Sequence, residues 1–319
     1  MSARLLDGRQ VARALHAELA PRVDGLVRRG VIPTLALLVV GTDPVIHVFV
    51  KNKEYAARRL AIRTIVEQRG AATSDDELRD LLTAWSTAPD IHGIVLQLPL
   101  PAGHAEADLL AHIAPLKDVD CLHPENLGLL ALGVPRFPPP TPAGIHQLLL
   151  RSGITIAGRH VVVVGRGRLV GRPLALLLLQ KRPDANATVT VCHRGTRDLA
   201  SLTRSADVLV AATGMPRGIT AAHVRPGAIV VDAGAHHTAE GWHGDVDEVS
   251  VRPIAGALTP VPGGVGPMTV CLLLENVVQA AEQAEAGAPS SPLVPGANRP
   301  VRETSSTNTP PITLRAPRD

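Results

Sequence analysis

Aromatic residues and cysteines are scarce in this chain of 319 residues. Phe, Trp and Tyr together make up 2% of it, so a hydrophobic core must be built from Leu, Val, Ile and Ala. The three cysteines, Cys121, Cys192 and Cys271, are far apart and form no Cys-x-x-Cys motif. An odd number of widely spaced cysteines indicates reduced thiols rather than a disulfide framework, and we therefore expect a cytoplasmic protein.

Membrane, nucleic-acid and metal signals are also missing. No uncharged apolar run reaches the ~18 residues that a spanning helix requires, and Arg4, Asp7 and Arg9 stand where a signal peptide would have an apolar core. The net charge is only +3 and there is no Lys/Arg block, so we expect neither a membrane nor a nucleic acid as a partner. The pair His236-His237 lacks a third ligand nearby, and no metal is assigned.

Short apolar runs alternate with stretches of helical periodicity along most of the chain. Runs such as 32–40 and 161–164 are almost uninterrupted, which is typical of strands buried on both faces of a parallel sheet. The alternation predicts an α/β fold. Five prolines between Pro135 and Pro142 mark a domain boundary, and residues after Gly287, rich in Pro, Ser, Thr and Asn, predict a disordered tail.

A glycine-rich loop in the second half has the context of a dinucleotide site. Strand 161–164 leads into Gly165-Arg166-Gly167-Arg168-Leu169-Val170-Gly171, and an apolar helix follows. Strand, glycine loop and helix together place a pyrophosphate on backbone amides, although the spacing G-x-G-x-x-x-G is one residue longer than usual, and a structural turn is the alternative. The ends of later strands, such as Thr213-Gly214, belong on the same ligand side.

The next strand, 187–192, ends in His193-Arg194 and lacks the acid that binds the ribose 2′-hydroxyl of NAD. A guanidinium there, with Arg166 in the glycine loop, suits a 2′-phosphate. NADP is therefore favoured over NAD; the alternative is that either arginine is a solvated surface charge.

The stretch Thr259-Pro-Val-Pro-Gly-Gly-Val-Gly-Pro-Met-Thr269 holds three prolines and three glycines in eleven residues. Such a stretch excludes a helix or a central strand, and an apolar helix is predicted to follow from Val270. We expect a stiff loop whose backbone amides are available to a flat or anionic ligand; a sharp turn is the alternative.

Five stretches together resemble the bacterial bifunctional methylenetetrahydrofolate dehydrogenase/cyclohydrolase family, over about residues 4–282. They are 43–53, 92–101, 117–124, 165–173 and 259–269. The resemblance implies an α/β fold of two domains with a cleft between them. The first is a folate-binding catalytic domain over residues 1–141, which has a parallel sheet and is completed by a helix over 268–285. The second is a Rossmann-type NADP-binding domain over 142–267, and the tail covers 286–319. It also implies oxidation of 5,10-methylenetetrahydrofolate with NADP, hydrolysis of the methenyl product to 10-formyltetrahydrofolate, and a homodimer.

The same resemblance implies roles for individual residues. Lys53 is the central catalytic residue, Gln97 holds and polarises it, and Asp120 hydrogen-bonds the pterin-like ring of the folate. For Lys53 and for the acidic stretch 117–124, the residues alone leave a surface lysine and a solvated turn as alternatives. The other substrate-binding residues are Phe49, Leu98, Pro99, Pro262, Gly263 and Gly264, and the cofactor-binding residues are Gly165, Arg166, Gly167, Val170, Gly171, Arg194, Thr213, Gly214 and Ala235.

The chain departs from the family pattern at five positions around these residues. Phe49 replaces a tyrosine four residues before Lys53, and Tyr55 lies about 200° further round the helix and cannot substitute for it. The other changes put Ile46 and Gly167 in place of serines, Cys121 in place of a glycine and Leu122 in place of a phenylalanine. We expect all five to touch the site, and dehydrogenase activity to survive better than cyclohydrolase activity.

Two other functions remain open at this point. One is a protein of the same fold that acts on a different one-carbon substrate, and the other is a non-catalytic NADP-binding protein. The trio Lys53, Gln97 and Asp120 argues against the second. A 2-hydroxy-acid dehydrogenase is disfavoured because no histidine is paired with an acid in a suitable context.

Overall fold

The computed structural model describes residues 3–287. In chain order its elements are β1 (Arg4–Leu5), α1 (Gly8–Arg28), β2 (Thr34–Val40), α2 (Pro44–Arg59), β3 (Arg63–Arg69), α3 (Asp75–Thr87), β4 (Gly93–Leu96), α4 (Glu106–Ala111), α5 (Pro124–Ala131), α6 (Pro140–Arg151), β5 (His160–Val164), α7 (Gly171–Leu178), β6 (Thr188–Cys192), α8 (Leu199–Arg204), β7 (Val208–Ala211), β8 (Ile229–Asp232), β9 (His236–Thr238), β10 (Gly241–His243), α9 (Glu248–Val251), β11 (Ala257–Leu258) and α10 (Val265–Glu285).

The first half is built on a parallel sheet of three strands in the order β3–β2–β4. All seven residues of β2 are buried, as predicted for a strand covered on both faces. Side chains of α1, α2 and α10 pack on one face of the sheet, and side chains of α3 and α4 pack on the other. Every strand therefore has its carboxyl end at one edge, where the residues that follow β2 and β4 lie.

The second half is built on a parallel sheet of six strands in the order β1–β11–β8–β7–β5–β6. Its two faces are covered by separate hydrophobic clusters, one shared with α6 and α7 and the other with α9. The chain moves outward in opposite directions from β5, to β6 on one side and to β7 on the other. Ligands bind at such a switch point in open parallel sheets. The predicted fold class, two α/β units with parallel sheets, is confirmed.

Two long helices connect the halves. The chain starts in the second sheet, because β1 pairs with β11, and α1 then runs across to the first half. Leu15 of α1 lies in the core of the second half and Leu19 in the core of the first. In the same way α10 contributes Leu272 to one core and Leu273 to the other.

Several predicted boundaries were wrong, and prolines account for two of them. Helix α10 begins at Val265 instead of Val270, with Pro267 in its first turn. A helix was expected from Ala143, but α6 begins at Pro140, with Pro142 also in its first turn. Proline is tolerated there because first-turn amides have no partner within the helix. Helices α4 and α5, strands β1 and β11, and the hairpin β9–β10 were not predicted.

The predicted tail lies outside the described residues except for 286 and 287. Among the described helices, none combines the length and the apolar character needed to cross a bilayer.

Candidate active site

Lys53 is a buried lysine on the side of α2 that faces the end of β4. The helix starts at Asp43, whose carboxylate accepts a hydrogen bond from the Val45 amide at 2.8 Å, with Pro44 in the first turn. Only 9% of Lys53 is exposed, and its Nζ donates to Gln97 Oε1 at 2.5 Å. The predicted contact between Lys53 and Gln97 is therefore present, and the alternative of a surface lysine does not hold.

Gln97 is fixed by its own backbone and side-chain contacts. It directly follows β4, and its amide donates to Leu38 O at 2.9 Å, which continues the ladder with β2. Its side-chain Nε2 donates to Leu98 O at 3.0 Å. Because the amide nitrogen is engaged there, Oε1 is the atom presented to Lys53. Leu98 is buried and Pro99 is exposed, joined by a cis peptide bond.

The segment that carries Asp120 extends the first sheet beyond β4. Lys117 O accepts a hydrogen bond from the Ile94 amide at 2.8 Å, and Asp118 forms a parallel bridge with Ile94. Asn276 of α10 donates to Val119 O at 2.8 Å from the other side. The segment ends beside Gln97 because it runs parallel to β4.

Asp118 organises the turn after this segment, so it is not a solvated acid. It is 1% exposed, and its carboxylate accepts hydrogen bonds from the Leu122 amide at 3.1 Å, the His123 amide at 2.8 Å and Asn126 Nδ2 at 2.8 Å. Cys121 adopts φ +59°, a left-handed conformation that a glycine would adopt without strain. The backbone therefore adopts a conformation that favours glycine although the residue here is a cysteine.

The charges of Lys53 and Asp120 are coupled in a poorly solvated site. Burial lowers the pKa of Lys53, and the negative charge of Asp120 opposes that shift. Burial raises the pKa of Asp120 to about 6, with Lys53 lowering it and Asp118 raising it further. An amine with a lowered pKa next to a carboxylate with a raised one is suited to exchanging protons near neutral pH.

The departures from the family pattern differ in how deeply they are buried. Ile46 and Leu122 lie in the two hydrophobic clusters of the first half, and their contact with the site stays a prediction. Phe49 is only partly buried, one helical turn before Lys53. Tyr55 is 64% exposed beneath the Arg59 guanidinium, on a different side of the helix, as expected.

The loop 259–264 is pinned against the start of α1. Gly263, at φ +120°, accepts a hydrogen bond from the Arg9 amide at 3.2 Å. A Cβ on Gly8 would lie 1.8 Å from Gly264 O, so the two backbones touch. Gly264 N donates to Pro260 O at 2.8 Å, and this amide is not available to a ligand, contrary to the expectation for the loop. Pro262, preceded by a cis bond, is exposed.

The glycine loop 165–171 has the shape of a dinucleotide cradle. Gly165 follows β5 at φ +135°, and a Cβ there would lie 1.9 Å from Ala212 O at the end of β7. A Cβ on Gly171 would lie 2.0 Å from Gly165 O, whereas no atom lies within 4 Å of one on Gly167. Gly165 and Gly171 are therefore required for close packing, and Gly167 borders open space. Helix α7 starts at Gly171 without a side-chain cap. The Arg172 amide donates to Gly167 O at 3.1 Å and Pro173 has no amide hydrogen, so Gly171 is the first-turn residue whose amide can face a phosphate.

The other predicted cofactor residues are either exposed to solvent or packed against the protein. Val170 packs on the hydrophobic cluster beneath the loop. Arg166, Arg194 and Ala235 are exposed, and neither arginine has an ion-pair partner among residues 3–287. Two cationic side chains without an internal partner, one in the glycine loop and one after β6, are suited to binding a 2′-phosphate.

Asp245 is a buried acid that the sequence analysis missed. The stretch around it consists of small and acidic residues, which carries no signal that distinguishes a buried carboxylate from a surface one. Asp245 is 0% exposed, and its carboxylate accepts hydrogen bonds from the amides of Thr213 at 2.5 Å and Gly214 at 3.2 Å. His236 Nε2 lies 2.7 Å from its other oxygen. These hydrogen bonds to Asp245 hold the loop after β7 in place, and cofactor binding by Thr213 and Gly214 stays a prediction.

A surface cavity of about 520 Å³ lies beside the hairpin β9–β10, lined by Arg217, His243, Arg252 and Thr259 among others. It does not include Lys53. Within residues 3–287, no group of three His, Cys, Asp or Glu side chains has the arrangement of a metal site.

Comparison with known proteins shows the family of this chain. The tetrahydrofolate dehydrogenase/cyclohydrolase catalytic domain matches residues 6–120, and the NAD(P)-binding domain of the same family matches residues 139–285. The chain belongs to this family. It is 46% identical over 284 residues to the bifunctional protein FolD of Bordetella avium, covering 89% of this chain and 99% of the relative. It is 49% identical over 275 residues to that of Oleidesulfovibrio alaskensis, covering 86% and 96%.

Solved structures agree with this assignment. The bifunctional FolD of Campylobacter jejuni is 38% identical with a TM-score of 0.84, covering 88% of this chain and 99% of that one. The Trypanosoma brucei FolD, complexed with NADP cofactor and inhibitor, is 35% identical with a TM-score of 0.84, covering 89% and 99%. The alternatives of a different one-carbon substrate or a non-catalytic protein are not favoured.

Proposed function

We propose that this protein oxidises 5,10-methylenetetrahydrofolate to 5,10-methenyltetrahydrofolate with NADP⁺ and hydrolyses the product to 10-formyltetrahydrofolate, with hydrolysis the slower step. Family membership supports the pair of activities. The observation that carries the assignment to residues is the buried hydrogen bond between Lys53 and Gln97 beside Asp120. The roles of these residues and of the loop 262–264 against the folate are part of the proposal.

The oxidation step mainly requires positioning. A hydride leaves the methylene carbon, which lies between two nitrogens, and the carbon becomes part of a methenyl cation; NADP⁺ accepts the hydride when bound. No side chain has to give or take a proton in this step. The exposed Pro262 and the ring of Phe49 offer flat surfaces to the folate, and Asp120 offers a hydrogen-bond acceptor.

The hydrolysis step requires proton transfer. Water adds to the cationic methenyl carbon and loses one proton, which gives a neutral hydroxyl adduct. One carbon–nitrogen bond of the ring then breaks as that nitrogen gains a proton and the hydroxyl loses its own to become the formyl carbonyl, so one proton is released to solvent overall. Lys53, with its pKa lowered by burial, can accept the proton from water and return it, and Gln97 holds the amine in place. The hydroxyl of a tyrosine at position 49 would add a second proton-transfer group one turn away, and Phe49 lacks it.

Arg166 and Arg194 favour NADP over NAD as the cofactor, since both are free to contact a 2′-phosphate. A homodimer and a cytoplasmic location are proposed on the family resemblance. Sedimentation velocity tests the first, and a monomer at micromolar concentration would contradict it.

An acid-shift assay tests the proposed function. The protein is incubated with 5,10-methylenetetrahydrofolate and NADP⁺, and the methenyl absorbance is read before and after acidification, which converts 10-formyltetrahydrofolate back to the methenyl form. We expect methenyl absorbance before acid and a further increase after it. Signal only after acid would show that hydrolysis is not the slower step, and no signal in either reading would overturn the proposed function.

A further inference from the structure

The hairpin β9–β10 reaches from the second half of the molecule to the catalytic helix of the first. Trp242, in β10, lies with its ring centroid 5.9 Å from that of Phe49, the planes tilted by 48°. His237, its partner across the hairpin, packs edge-on against the same indole at 5.1 Å. The chain has only two tryptophans and two phenylalanines, so this contact uses one of each.

A second contact joins the halves elsewhere. Arg168, in the glycine loop, lies 3.0 Å from the carboxylate of Glu106 in α4. Both side chains are partly exposed, and pairs of this kind contribute little on their own. The two contacts nevertheless hold the glycine loop and the hairpin against the first half at separate points.

The contact with Trp242 restrains a ring that has no polar anchor. A tyrosine at position 49 could be oriented by a hydrogen bond of its hydroxyl, but Phe49 has none to make. Phe49 is only partly buried, so packing within α2 leaves part of its ring uncovered. Aromatic pairs at tilted angles and this separation attract beyond simple burial.

We infer that Trp242 is a positioning residue of the folate site: it holds the Phe49 ring across the cleft, one helical turn from Lys53, in the orientation that receives the flat folate ring. Trp242 acts through Phe49 and takes no part in proton or hydride transfer. This inference rests on the proposed function. It predicts that loss of the indole weakens productive folate binding more than it slows turnover.

A double-mutant cycle tests the inference. The variants Trp242→Leu, Phe49→Leu and the double variant are assayed for kcat and KM with 5,10-methylenetetrahydrofolate at saturating NADP⁺. We expect Trp242→Leu to raise the KM for the folate about two- to thirteen-fold, the range for loss of one aromatic pair, with a smaller change in kcat. The double variant should lose no more than the worse single variant, because both remove the same contact.

Two further variants separate positioning from general damage. Trp242→Phe keeps an aromatic ring, so its KM for the folate should lie much closer to the unaltered value than that of Trp242→Leu. A general structural defect would not depend on whether the new side chain is aromatic. Tyr55→Leu removes an exposed aromatic from the same helix and should match the unaltered protein. If Trp242→Leu does not fold, Trp242→Met, which also removes the aromatic ring, replaces it in the cycle with the same expectation of non-additivity.

The outcomes distinguish the inference from the function on which it rests. A KM for the folate that stays within twofold of the unaltered value in Trp242→Leu, or losses that add in the double variant, would overturn the inference and leave the function intact. Absence of activity in the unaltered protein would overturn the proposed function and the inference together.

Discussion

Replacing Phe49 by tyrosine is expected to accelerate hydrolysis relative to oxidation. The substitution adds one hydroxyl to a ring that already occupies the position, one turn before Lys53 and in contact with Trp242. Residues four apart on a helix are neighbours on its surface. The new hydroxyl can therefore hydrogen-bond the Lys53 amine and help it to exchange a proton.

The size of the effect follows from the value of one hydrogen bond. A typical net contribution is about 0.5–1.5 kcal/mol, and about 1.4 kcal/mol corresponds to a factor of ten in rate. The ratio of hydrolysis to oxidation should rise about two- to thirteen-fold. The oxidation rate itself should change little, because hydride transfer needs no proton relay.

The acid-shift assay measures both steps in one reaction, and Tyr55→Phe serves as the matched control because it removes a hydroxyl from the exposed side of the same helix. We expect less methenyl absorbance before acid with Phe49→Tyr and no change with Tyr55→Phe. A ratio of the two rates that is the same in Phe49→Tyr and the unaltered protein would refute the argument that the missing hydroxyl limits hydrolysis.

Three other predictions concern the folate and cofactor ends of the site. Asp120 has a pKa raised to about 6, so it loses its charge as the pH falls through that value, and kcat/KM for the folate should drop over the same pH range. Asp120→Asn should be less active, and its pH profile should no longer show that drop. A drop near pH 6 that persists in Asp120→Asn would contradict the prediction. Arg194→Leu should raise the KM for NADP⁺ about tenfold or more and leave that for NAD⁺ unchanged; steady-state kinetics with both cofactors check this, and equal changes would contradict it. Gly171→Ala places a Cβ 2.0 Å from Gly165 O and should weaken NADPH binding in a fluorescence titration far more than Gly167→Ala, where space is open; equal affinities would count against a tight cradle.

The proposed catalytic trio was anticipated from the family resemblance, because the residues alone left a surface lysine and a solvated turn as alternatives. Lys53 is on a helix with a clear start at Asp43-Pro44, and Gln97 directly follows an apolar strand. Asp120 was harder to place, since the segment 117–119 joins the sheet through a single bridge and has no strand-like alternation of its own. Its position depended on the family resemblance.

Features that depend on distant pairing could not be predicted. Strands β1 and β11 have two residues each and pair across more than 250 positions of sequence, so neither shows any periodicity. The burial of Asp245 depends on amides 31 and 32 residues away. The contact of Trp242 with Phe49 likewise arises only when the two halves come together. The sequence near each residue therefore gives no sign that the two side chains meet.

The central claim is that Lys53 carries the hydrolysis step in a buried site, and replacing its amine tests this most directly. Lys53→Met keeps the length of the side chain and removes the amine, while Lys51→Met makes the same change at an exposed position of the same helix. In the acid-shift assay, Lys53→Met should build up methenyl product with no further increase after acid, and Lys51→Met should behave as the unaltered protein. Continued formation of 10-formyltetrahydrofolate by Lys53→Met, at a rate near that of the unaltered protein, would contradict the assignment.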